Sequence, residues 1–117
     1  MTQEEKLLLL KDLSARLPYN VRIRHYVNDI DFYSNPLMTY DIDQLKNNKA
    51  IIKPYLRPMS SMTEDEKETY QMFFNEDGLL NTSIDTYLDW LLEGHFDFRG
   101  LISRGLAVEA SENFYNN

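Results

Sequence analysis

Carboxylates dominate the side chains capable of chemistry in this 117-residue chain, with 19 Asp and Glu against two His and no Cys. They recur in close pairs, in DIDF (29–32), YDID (40–43) and IDTYLDW (84–90). A carboxylate pair does general acid–base work when burial raises one member so that it keeps its proton while the other stays ionised. Asp85 and Asp89 fall four apart on a predicted helix, where like charges repel by about 0.2–0.5 kcal/mol. A solvated acidic face accounts for that spacing without chemistry and is the reading preferred here. A zinc site needs three or four donors. His25 and His95 are the two histidines, and His95-Phe96-Asp97 sets a single His–Asp pair side by side in extended backbone. No metal site is expected. His25 reads as a half-buried strand residue and His95 as the residue following a helix cap.

Nucleophilic chemistry finds no frame either. Without cysteine there is no disulfide, no thiolate and no Cys-based zinc site. Ser60, Ser61 and Ser103 have no neighbouring base and no G-x-S-x-G context, and read as turn or connector residues. Gly94, Gly100 and Gly105 match neither the Walker nor the G-x-G-x-x-G spacing; they suit helix ends and close packing. No catalytic residue and no cofactor is therefore expected. The remaining candidate is a basic aromatic patch. Arg22, Arg24 and Tyr26 share one strand face, and Lys53, Tyr55 and Arg57 lie in the same half of the chain. Stacking plus cations can hold single strands, but these cations are few against a net charge of −7.

That charge is divided unevenly. Residues 1–60 carry nine Lys/Arg and seven Asp/Glu, whereas residues 61–117 carry three and twelve. An acidic second half repels phosphate backbones and leaves room for a cationic protein partner. The start of the chain has four leucines between charged residues, far short of the roughly 7–15 apolar residues behind a positive start that a secretion signal needs. No window approaches the ~20 apolar residues of a membrane span, so the cytosol is the expected compartment. With 43% apolar residues and 15 aromatics, the chain can fill a core and is expected to form a single domain over 1–117, its two halves being too small to stand alone.

The elements that position these groups follow from periodicity. Thr2 and Glu5 have capping-box spacing before a helix over 3–16. Leu9, Leu10, Leu13 and Leu17 line one face of it, and Lys11 and Arg16 favour its C-terminal dipole. Pro18 stops it. VRIRHYV (21–27) alternates as a half-buried strand. Asn28-Asp29 reads as a turn, IDFY as a second strand, Ser34-Asn35-Pro36 as another turn, and LMTYDI (37–42) as a third strand candidate. DQLKNNKA (43–50) reads as a turn or short helical excursion. AIIKPYL (50–56) ends the meander, its prolines confining it to an edge or its end.

KPYLRPMSSMTEDEKETY (53–70) then turns sheet into helix. Each residue before a proline is pushed out of helical geometry, and Thr63 and Glu66 repeat the capping box. Glu64, Asp65 and Glu66 suit the first turn of a helix over 64–75, with Tyr70, Phe73, Phe74 and Met72 inward and Gly78 as its stop. Ser83 caps a further helix carrying Ile84, Tyr87, Leu88 and Leu91, with Gly94 as a left-handed stop. Asp97 caps one helical turn ending at Gly105, LAVEA (106–110) closes the sheet, and SENFYNN frays unless Phe114 and Tyr115 pack back.

The stretches KPYLRPMSSMTEDEKETY and LDWLLEGHFDFRGLISRGLAVEA, with LPYNVRIR before them, resemble a group of small uncharacterised proteins that recur in gut anaerobic bacteria, their mobile elements and their phages. The likeness covers Leu17 to Ala110. It implies no activity and transfers no functional residue, but it favours an accessory or phage-linked role over a central metabolic enzyme.

Together these readings give an α+β domain with an N-terminal helix, an antiparallel meander of three or four strands, two C-terminal helices and a short closing strand. The leading function is a non-enzymatic, acidic interaction protein, with Tyr55, Arg57, Phe96 and Arg99 as candidate binding residues if they are exposed together. The competing classes are a small carboxylate-based hydrolase or ligand-binding domain, which needs a pocket with two buried acids, and a nucleic-acid-binding or nucleic-acid-mimic domain. The expected state is a monomer, or a homodimer joined through an open sheet edge.

Overall fold

A computed structural model describes residues 1–27 and 30–116, the side chains of residues 30–34 apart; the expected turn at Asn28-Asp29 lies outside the described residues. Helix α1 (Gln3–Arg16) begins as its first residues dictate. Thr2 Oγ1 accepts the Glu5 amide at 3.1 Å and Glu5 Oε1 accepts the Thr2 amide at 2.8 Å. Leu9 and Leu13 are fully buried. A 3₁₀ turn over Leu17–Tyr19 contains Pro18, and Asn20 in the left-handed region releases the chain into strand β1 (Arg22–Val27).

Strand β2 (Ile30–Pro36) pairs antiparallel with β1, and its register continues to Pro36 opposite Arg22. The turn expected at Ser34-Asn35-Pro36 is therefore strand. The third strand candidate, LMTYDI, is instead the lead-in and first turn of α2 (Thr39–Lys46), with Leu37 and Met38 before the helix and residues 39–42 in it. The burial of Leu37, Asp41 and Leu45, spaced four apart, shows which period governs this segment. Asp41 Oδ2 accepts the Met38 amide at 2.9 Å and closes the helix start. Strand β3 (Ile51–Leu56) follows. Because α2 carries the chain across, β3 pairs antiparallel with β1 rather than with β2. Strand β4 (Val108–Glu109) then pairs parallel with Tyr55 and Leu56. The sheet order is β2-β1-β3-β4, a mixed sheet in an α+β fold and not the purely antiparallel meander expected. β3 is therefore interior and not the edge strand its prolines suggested: Pro54 lies opposite Ile23 on β1, just before the two residues of β3 that β4 covers.

Beyond β3, a 3₁₀ turn at Met59–Ser61 leads to α3 (Glu64–Met72). The Thr63–Glu66 capping box forms as the spacing predicts. The helix ends earlier than expected. Asn75 Oδ1 accepts the amides of Asp77 and Leu79 at 2.9 and 3.0 Å, a local turn that competes with helix, and Phe74 pairs with Leu80 across it. Gly78, at φ +77°, sits within that turn rather than at the helix end. Met72, expected inward, is 74% exposed.

Helix α4 (Ile84–Glu93) starts at Ser83, whose Oγ accepts the Thr86 amide. Ile84, expected on its inner face, is exposed. Gly94 is not left-handed; its φ is −81°, and His95 takes the positive φ of 59°. The need for glycine is steric, since a Cβ there would lie 2.4 Å from the Phe96 ring. Asp97 accepts the amides of Leu101 and Ile102, and the turn it organises ends at Gly105.

Two apolar clusters result. One joins α1, α2 and the sheet through Leu9, Leu13, Ile23, Leu45, Ile52 and Leu56. The other gathers Met62, Leu91 and Phe96 beneath Tyr70, Tyr87 and Trp90. Gly94→Ala is expected to cost about 1–3 kcal/mol by overpacking against Phe96. Thr63→Ala is expected to cost about 1 kcal/mol through the lost cap. Urea unfolding midpoints check both.

Candidate functional site

The four candidate binding residues meet different surroundings. Arg57 leaves β3 in backbone contact with the segment after α4: its amide donates to the His95 carbonyl, and the Asp97 amide donates back to the Arg57 carbonyl, both at 2.8 Å. This exchange lays the Arg57 guanidinium 4.5 Å above the Phe96 ring centre. The same guanidinium forks onto Glu66 at 2.8 and 2.7 Å. Arg57 holds the Glu66 carboxyl below its ordinary range, with the Thr63 amide adding to the effect. Phe96 itself is fully buried. The Tyr55 ring stacks on Phe114 at 4.6 Å. Arg99 Nη1 bonds Asp12 Oδ1 at 2.7 Å. The structure thus brings Arg57 onto Phe96 but presents no shared open surface of Tyr55, Arg57, Phe96 and Arg99.

Arg16 was expected to favour a helix dipole, yet it is the largest fully buried side chain among the described residues. Its Nε bonds Asp12 Oδ2 at 2.7 Å and its Nη2 donates to the Phe96 carbonyl at 2.8 Å. With Arg99 on the other oxygen, Asp12 faces two cations. The i,i+4 spacing of Asp12 and Arg16 was the available signal, but it marks surface pairs equally well. Arg16 Nη1 and His95 Nδ1 are buried with no hydrogen-bond partner among the described residues. The His95 ring stacks on Tyr115 at 3.8 Å. Burial, reinforced by Arg16 and Arg57, pushes the His95 pKa down to about 4. The Tyr115 hydroxyl donates to the Tyr55 carbonyl at 2.6 Å and accepts the Arg22 amide at 3.0 Å. Burial raises its pKa to about 12. The C-terminal segment therefore packs back through both aromatics.

Beside that segment lies an open groove of about 600 Å³, bordered by Arg57, Glu66, Glu109, Glu112, Asn113 and Phe114 among others. Glu66 satisfies Arg57, whereas Glu109 and Glu112 have no cationic partner among the described residues. A second opening of about 520 Å³ lies between the start of α1 and the start of β3, near Lys6, Tyr26, Lys49 and Ile51. The buried acids line neither. Asp12 is held by its arginines, and Asp41 by His25 Nδ1 at 3.0 Å and the Met38 amide. Among the described residues, no group of three or more His, Cys, Asp or Glu is placed to hold a metal ion, and no helix is long and apolar enough to cross a membrane. What the first groove offers is carboxylates, hydroxyls of Ser61, Thr63 and Ser111, and an aromatic wall, a lining suited to an ammonium or guanidinium group. Comparison of the chain with protein-family models, with curated proteins and with solved structures finds no match.

Removing one partner of a buried ion pair strands the other. Asp12→Ala is expected to cost about 3–5 kcal/mol in urea unfolding, and the double change Asp12→Leu with Arg16→Met to recover much of it. His95 supplies a pH dependence. Its folded pKa of about 4 lies below the ordinary 6.5, so the unfolded chain binds more protons between these values. Its contribution is present above pH ~6.5 and is lost as the pH falls towards 4. His95→Asn, which tolerates the positive φ, is expected to flatten the change in urea midpoint between pH ~7 and ~5.

Proposed function

We propose that this is a non-enzymatic interaction protein of the cytosol whose acidic half docks a cationic protein partner. The observation that carries the reading is the state of its acids. Ten of the twelve Asp and Glu in residues 61–117 are exposed. Among the described residues, only Glu64 of these ten pairs with a cation, Lys67 at 3.4 Å. Like charges crowded on α3, the turn after it and α4 repel one another, and a cationic partner relieves that repulsion and gains speed of encounter from the same field. We propose further an accessory role, acting on a host or defence protein, as the resemblance read from residues 53–70 and 88–110 implies.

The hydrolase reading asks for two buried acids within one pocket, whereas the acids bordering the main groove are the exposed Glu109 and Glu112 and the arginine-bound Glu66. Affinity capture from lysate at low and high salt tests the proposal. A specific partner is expected at low salt and a weakened yield at high salt. Recovery of no specific partner at either salt would overturn it.

A further inference from the structure

We infer that the groove beside β4 is where such a partner is anchored, and that its occupant is an extended segment rich in lysine or arginine. This rests on the acidic-docking reading and narrows it to one place and one peptide chemistry. Strand β4 is the last of the sheet, and the groove opens where it ends, between residues 109–116 on one side and the segment 57–66 that continues from β3 on the other. Glu109 closes β4 and Glu112 lies three residues on, both exposed, both bordering the groove and both without a cation. The groove's own cation, Arg57, is spent on Glu66 through two bonds. The field inside is therefore negative, which repels an acidic peptide or a phosphate and attracts an ammonium or guanidinium. A space of about 600 Å³ receives a few long side chains. Their aliphatic stems lie along Pro58 and Phe114 while their charged heads reach the glutamates.

The edge of the acidic half is distinguished from its helical faces by matched charge reversals. The probe is a fluorescent peptide alternating lysine and serine, titrated by anisotropy at low salt. Glu109→Lys with Glu112→Lys changes the groove; Asp85→Lys with Glu93→Lys makes the same charge change on α4. All four residues are exposed, and circular dichroism confirms that both variants fold. The groove variant is expected to lose at least ~10-fold in affinity and the α4 variant less than ~3-fold. Equal losses, or a greater loss from the α4 variant, would overturn the groove while leaving an acidic docking protein. No binding to the unaltered protein would remove both. Amide shift mapping on the unaltered protein gives an independent reading. Peptide-induced shifts over 108–116 and 57–63 are expected, and shifts confined to α4 and the turn before it would overturn the assignment.

Discussion

The burial of Arg16 constrains everything around it. A guanidinium cannot leave water without compensation, and this one is fully buried at the meeting of three parts of the chain. Asp12 answers it from one helical turn earlier, the Phe96 carbonyl from the segment after α4, and the Phe98 ring from 5.3 Å. Arg99 occupies the other oxygen of Asp12, so one carboxylate is shared by two guanidinium groups. Because the Phe96 carbonyl accepts from α1, the loop after α4 is tied to the sheet side of the molecule. Because Phe96 also lies beneath Arg57, the start of the helical half is tied to the same point. One buried ion cluster thus joins two apolar clusters that sequence distance keeps apart.

The same junction explains the local irregularities. Gly94 is glycine because the Phe96 ring occupies the space a side chain would take. His95 accepts a left-handed backbone so that its carbonyl reaches the Arg57 amide and its ring meets Tyr115. Strain of this kind persists where surrounding contacts over-determine it, and here the contacts come from three separate segments. Tyr19, whose hydroxyl donates to Asp89 Oδ1 at 2.6 Å, adds a further link between the turn after α1 and α4. The acids that take no part in the junction remain on the outside of the helical half, where their charge is available to a partner.

The two capping boxes, the alternation of β1 and the Ser83 start of α4 were all legible as letters, because each depends on residues a few positions apart. Thr63 and Glu66 meet through backbone geometry alone, whatever lies beyond them. The misread LMTYDI segment shows the limit. Its residues alternate well enough for a strand, and the choice of helix was made by the burial of Leu37 and Leu45 and by the bond from Asp41 to His25 on β1. The early end of α3 likewise turned on one side chain, Asn75, capturing two amides.

The amino-acid order by itself determined the element types over most of the chain, the division of charge near residue 60, and the hinge from strand to helix at residues 53–66, since short-range sterics and capping govern all three. Tertiary structure decided which strands are neighbours, that β4 runs parallel to β3, that Arg16 and Asp12 are core rather than surface, and that Glu109 and Glu112 border a groove. Those outcomes depend on residues tens of positions apart, and only the burial of shared surface, which no local pattern encodes, selects among the arrangements the letters allow.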